Sequence, residues 1–89
     1  MPEVNLTVQH PSGLHARPAS VFVKTASQFK SNVRVVYGEK DINAKSILSV
    51  LTLGANQGAN ITIKAEGEDS DQAIQALTEL IESNFGEGG

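Results

Sequence analysis

Apolar residues in this chain change their spacing repeatedly, and that alternation restricts the fold more than any other feature. Val4, Leu6 and Val8 alternate with Asn5, Thr7 and Gln9, the period of two expected of a strand with one face buried. From Ala16 to about Ser27 the apolar positions Ala19, Phe22, Val23 and Ala26 recur at helical spacing. Val33, Val35 and Tyr37 return to alternation, Gly38 turns the chain, and a short strand follows from about Lys40 to Asn43. Ile47, Leu48, Val50 and Leu51 mark a brief helix closed by Gly54 and Gly58. Ile61, Ile63 and Ala65 alternate again, with Thr62 and Lys64 turned outward. In the last helix Asp69 and Gln72 are placed as a capping box, ahead of the apolar stripe Ala73, Ile74, Leu77, Leu80 and Ile81. The order is β-α-β-β-α-β-α. Half-polar strands, mixed with helices that cannot all be crossovers, predict an α+β open-faced β-sandwich. Four antiparallel strands form one layer, three helices cover one face, and the other face meets water.

The 89 residues support one domain, taken as 1–89, with the tail 86–89 expected to fray. The absence of cysteine excludes disulfides, thiolate metal sites and cysteine nucleophiles. No apolar run approaches the roughly 20 residues of a membrane span, and no signal-peptide pattern opens the chain. A cytoplasmic chain without membrane insertion is expected. All seven Lys and Arg lie at or before Lys64, and seven of the ten acidic residues follow it. The first 65 residues therefore carry +4 and the remainder −7. A basic face on an acidic chain suits an acidic protein or a small anion better than a nucleic-acid backbone.

The chemistry concentrates in Pro11-Ser12-Gly13-Leu14-His15-Ala16-Arg17-Pro18-Ala19-Ser20. A lone loop histidine is most often a surface residue. A metal site has little support, because His10 is the one other histidine and no carboxylates cluster near it in sequence. A Ser-His-Asp triad would need an oriented acid that the sequence does not identify. Pro18 lacks an N–H and fits the first helical turn, which puts the helix start at about residues 15 to 17. His15 then stands over unpaired backbone N–H groups and the positive end of the helix dipole. That field disfavours imidazolium and keeps the ring neutral and nucleophilic. The same N–H groups, with the Arg17 guanidinium, make a cradle for a phosphoryl group. Gly13 allows the preceding loop a conformation closed to other residues.

Gly13-Leu14-His15-Ala16-Arg17-Pro18-Ala19 resembles the active-site signature of the histidine-containing phosphocarrier (HPr) family of the phosphoenolpyruvate-dependent sugar phosphotransferase system. Lys45-Ser46-Ile47-Leu48-Ser49-Val50-Leu51-Thr52-Leu53-Gly54 is similar to the family's second signature, a serine ahead of a short apolar helix. Ala65-Glu66-Gly67-Glu68-Asp69 resembles its turn into the last helix. The resemblance implies a monomeric carrier rather than an enzyme, without cofactor or metal. Phosphorylated enzyme I would load His15 at Nδ1, and IIA components of sugar permeases would unload it. Arg17 would stabilise the phosphoryl group. Ser46 matches a position that a serine kinase modifies in part of the family, which would add that kinase/phosphorylase and a transcriptional regulator as partners. Many regulated members carry methionine where this chain has Ile47 and Leu48. The partner surface implied comprises Ala16, Ser20, Lys24, Lys45, Ile47, Leu48, Leu51, Thr52 and Gly54, beside Arg17.

Three other readings stand beside this one, the first a pure regulatory adaptor in which Ser46 alone matters. Ser46 ahead of an apolar run also reads as an N-cap, a contribution of about 1 kcal/mol. The order β-α-β-β-α-β is shared with RNA-binding modules, which need aromatic residues on the open sheet face. An aromatic content of 4 % opposes that assignment.

Overall fold

The computed structural model describes residues 2–11, 13–14, 16–83 and 85, with the backbone alone at 16. Its elements follow the expected order: β1 (Glu3–Thr7), α1 (Ala16–Ala26), β2 (Asn32–Tyr37), β3 (Lys40–Asn43), α2 (Ile47–Thr52), β4 (Asn60–Glu66) and α3 (Ser70–Glu82). The sheet runs β1-β4-β2-β3, and every neighbouring pair is antiparallel. Since β4 lies antiparallel between β1 and β2, those two strands run parallel to each other and α1 crosses over between them. By the same logic α2 connects β3 to β4 across β2. The fold is two interleaved crossovers, each leaving a gap that a strand of the other fills.

Alternation decides which face the helices cover. Val33 and Val35 of β2, with Ile61, Ile63 and Ala65 of β4, are buried against Phe22 and Ala26 of α1, Val50 of α2, and Ala73, Leu77 and Ile81 of α3. α3 packs on β1 and β4, α2 on β3, and α1 between the other two helices. The opposite face carries Asn5, Thr62, Lys64, Arg34 and Asp41, with Asn5 donating to Thr62 Oγ1 at 3.1 Å and Arg34 Nε donating to Asp41 at 2.6 Å. Phe22, Phe29, Tyr37 and Phe85 all belong to the core or pack against it. The open face therefore offers a base nothing to stack on, which removes the physical ground for an RNA-binding reading.

The capping box expected at α3 does not form. Asp69 is the N-cap residue, but its side chain makes no bond to its own helix. Its carboxylate instead accepts from the Lys30 N–H at 2.8 Å, the Ser31 N–H at 2.9 Å and the Ser31 hydroxyl at 2.5 Å. The cause lies at Gly67, where a Cβ would fall 2.8 Å from Ser31 Cα. With no side chain there, the turn into α3 settles on the turn into β2 and meets three donors at once. Those bonds, that from the Ser31 hydroxyl foremost, hold the Asp69 carboxyl at about 2, below its ordinary 3.8.

Candidate functional site

α1 begins at Ala16, as Pro18 requires, and Pro18 itself is buried. His15, the residue before that helix in sequence, lies outside the described residues, as do Ser12, the Ala16 side chain and the tail 86–89. The backbone on the near side of His15 is tightly held. Gly13 N–H donates to the His10 carbonyl and Leu14 N–H to the Ala55 carbonyl, both at 2.8 Å, and the Leu14 side chain is completely buried. Gly13 has a φ of 63°, and a Cβ there would lie 2.6 Å from Asn56 Cα and against the Ala55 carbonyl oxygen. Glycine is therefore needed twice, for its left-handed backbone and for the close approach of another loop.

That second loop is the one that follows α2. Val8 N–H donates to the Ala59 carbonyl at 2.8 Å, Gly58 N–H returns a bond to the Val8 carbonyl at 2.7 Å, and Gln57 Nε2 reaches the Gln9 carbonyl at 3.2 Å. Residues 8–10 and 13–14 are thus laced to residues 55–59, from the end of β1 to the mouth of α1. His10 is buried at the base of this lacing, in an edge-to-face contact with Phe85 at 5.8 Å between ring centroids.

Arg17, Ser20 and Lys24 are exposed and share one side of α1 at helical spacing. Lys24 falls in the last turn, where a cation complements the helix dipole. On α2, which packs beside α1, Leu48 is 73 % exposed, Ile47 39 % and Leu51 37 %. Val50 is the helix's buried anchor. A six-residue helix with four apolar side chains cannot turn them all inward, and three are left for solvent. Thr52 and Gly54 are also exposed at its far end.

Ser46 caps α2: its hydroxyl accepts from the Ser49 N–H at 3.4 Å and its carbonyl from the Val50 N–H at 3.0 Å. Ser46 and the 55–56 loop flank α2 at opposite ends, separated by roughly 9 Å of helix. Lys45 is less available than its sequence position suggests. Its ammonium donates to the Phe29 carbonyl at 2.6 Å, tying it to the turn after α1. Lys40, which sequence reasoning passed over as part of a strand, reaches the end of α2 and bonds the Thr52 and Leu53 carbonyls. A shallow depression lined by Asn32, Arg34, Asp41, Lys64 and Glu66 lies on the open sheet face, on the other side of the sheet from this assembly.

The family model described as "PTS HPr component phosphorylation site" matches residues 2–83. The chain belongs to the HPr family. It is 51 % identical over 69 residues to the phosphocarrier protein HPr of Mycoplasma capricolum, covering 78 % of each chain. It is 45 % identical over 87 residues to that of Xylella fastidiosa, covering 98 % of each. The solved structure of HPr-C-His from Thermoanaerobacter tengcongensis superposes with a TM-score of 0.96 at 49 % identity, over 98 % of both chains. As an HPr the chain is a phosphocarrier of the phosphotransferase system, a transient holder of phosphate and not an enzyme. The open-faced sandwich is the HPr fold. Among the described residues, no helix is long and apolar enough to cross a membrane.

Proposed function

We propose that His15 is the phosphoryl acceptor, loaded by phosphorylated enzyme I and unloaded by IIA components of sugar permeases in the cytoplasm, with the carrier acting as a monomer. The observation that carries this reading is the Gly13–Ala19 signature lying where α1 begins, with Gly13 and Leu14 anchored in front of it. In the transfer, the Nδ1 lone pair forms the N–P bond as the donor's own bond to phosphorus breaks. Passing the group to a IIA component reverses the exchange. The charge that develops on the phosphoryl oxygens is met by the helix's positive end, its first-turn N–H groups and the exposed Arg17 guanidinium. Ala16, Ser20, Lys24, Ile47, Leu48, Leu51, Thr52 and Gly54 supply the docking surface, basic on α1 and apolar on α2.

Intact mass after mixing with enzyme I and phosphoenolpyruvate tests the assignment. One phosphoryl group should add, labile in acid and stable in base as a phosphoramidate is. His15→Ala should fold and accept none. Transfer to that variant would remove His15 from the role.

A regulatory reading of Ser46 is favoured by one feature. Its hydroxyl is partly accessible at the N-terminus of α2, where a phosphate's negative charge would complement the helix dipole and its oxygens could take over the cap. A serine kinase/phosphorylase and a transcriptional regulator would then join the partners. Mass analysis of the chain purified from cells, with acid-stable phosphate as the signature, tests this.

A further inference from the structure

We propose that Lys40 is a positioning residue: it fastens the end of α2 and, through the loop that follows, the segment that leads into α1. At six residues α2 is too short to persist without its ends being held. Ser46 holds the first turn. At the other end the Thr52 hydroxyl donates to the Ser49 carbonyl at 2.8 Å and the Leu53 N–H to the Val50 carbonyl at 3.2 Å. The Thr52 and Leu53 carbonyls are met by Lys40 from the neighbouring strand, at 2.9 and 3.3 Å. A cation is the favoured partner there, because it opposes the negative end of the helix dipole. Gly54, at a φ of 75°, turns the chain back beside the ammonium group. One residue later the Ala55 carbonyl accepts the Leu14 N–H, and Asn56 lies against Gly13. The path from Lys40 to the mouth of α1 is continuous: one ammonium group, one helix end, one loop, two backbone contacts.

The inference rests on the carrier reading only for its transfer arm, and amide exchange in the free protein tests it without any partner. In Lys40→Met the exchange of the Leu53 and Leu14 amides should rise about two- to fivefold relative to Ile63 in the centre of β4, the size expected for losing a cation at a helix C-terminus. Lys40→Arg, which keeps the charge and the reach, should restore wild-type ratios. Enzyme I transfer should slow in Lys40→Met and recover in Lys40→Arg. Unchanged ratios in Lys40→Met would overturn the proposal, as would a uniform rise that includes Ile63, or transfer that ignores both variants. If wild type and variants all refuse phosphate from enzyme I, the carrier reading falls, and the exchange ratios still decide the role of Lys40.

Discussion

Replacing Gly13 by alanine separates two reasons for glycine at the mouth of α1, because Gly38 supplies an internal control. Both residues have nearly the same left-handed backbone, φ 63° and 62°. They differ in surroundings: nothing lies within 4 Å of a Cβ at Gly38, whereas one at Gly13 would press on Ala55 O and Asn56 Cα. The left-handed conformation costs an L-residue about 1–2 kcal/mol. Stiffening of the unfolded chain offsets this by about 0.4–1 kcal/mol. Gly38→Ala should therefore lose between about 0 and 1.6 kcal/mol. Gly13→Ala bears the same backbone term and must also move a loop held by the Leu14–Ala55 bond at 2.8 Å and the Ala59–Asn56 bond at 2.9 Å. Overpacking of that kind costs about 1–3 kcal/mol, and a lost backbone bond about 1 more. The total is about 2–6 kcal/mol, or a Tm lowered by about 8–45 °C in a chain of this size. Urea and thermal unfolding of the two variants measure the difference directly. Gly13→Ala should also transfer phosphate more slowly at temperatures where it is fully folded. Equal stability of Gly13→Ala and Gly38→Ala would show that the 55–56 loop does not hold Gly13, and the account of how the helix mouth is positioned would fail.

Arg17→Lys should slow enzyme I transfer while leaving Tm within a few degrees, because an exposed ammonium keeps the charge and loses the forked donor geometry; stopped-flow rates equal to wild type would refute this. Leu48→Glu should change stability by no more than about 0.5 kcal/mol, since the side chain is already 73 % exposed, yet weaken docking to enzyme I. That docking should weaken further with salt, as charges on α1 are screened over about 8 Å at physiological ionic strength; a salt-independent affinity would exclude the basic face from docking. The Asp69 carboxyl, at about 2 against an ordinary 3.8, sets an acid limit. Between those values the unfolded chain binds more protons than the folded one, so the stability from this group is complete above about pH 4 and declines as pH falls through 2. The gap in urea midpoint between wild type and Asp69→Asn should accordingly hold steady from pH 7 to 4 and close below it. Ser46→Asp, placing one charge beside the apolar patch, should slow loading at low salt more than at high salt; equal rates would leave Ser46 as a helix cap alone.

Local signals carried the element order and most of the core, since alternation and helical spacing report directly on one buried face. Val33, Val35, Ile61 and Ile63 are buried as their spacing demands. What the chain does locally also identified Gly13 as conformationally special and left part of α2 exposed. Long-range facts were out of reach for a physical reason: each depends on what another segment offers. Asp69 has the sequence of a capping residue, yet three donors at Lys30 and Ser31 outcompete its own helix. Lys45 and Lys40 look equivalent as surface lysines, and only tertiary packing, of the turn after α1 for one and of α2 on β3 for the other, decides that one faces the Phe29 carbonyl and the other the helix end. Phe85 sits in a glycine-rich tail beyond the last apolar stripe, but it is buried against His10. An isolated aromatic residue near a terminus was the available sign, because so large an apolar surface seldom goes unburied.

A carrier must bind its donor and then its acceptor with the same surface, and let go of each. The division of labour between α1 and α2 suits that cycle. Under the proposed function, the charged α1 residues would raise the rate of encounter with an acidic partner without lengthening the stay, because exposed charges act mainly on association. The apolar side chains of α2 that face solvent would be too few to make a lasting interface, so release would stay fast. What such weak contacts would not supply is placement of the reacting nitrogen, and on the proposed reading that would come from within the carrier. Leu14 is bonded to the loop that ends α2 and Gly13 lies against it, so a partner docked on α2 and the approach to α1 would share one stretch of backbone. A partner seated on Leu48 and Leu51 would thereby be set in a defined position relative to the mouth of α1. If this coupling operates, a lesion in the connecting loop should reduce the maximal transfer rate, and a lesion in the apolar patch should chiefly weaken the encounter complex. Asn56→Gly, which loosens the segment facing Gly13, and Leu48→Ala are the matched pair. A kinetic profile that is the same for both variants would mean that docking and placement are independent of the loop.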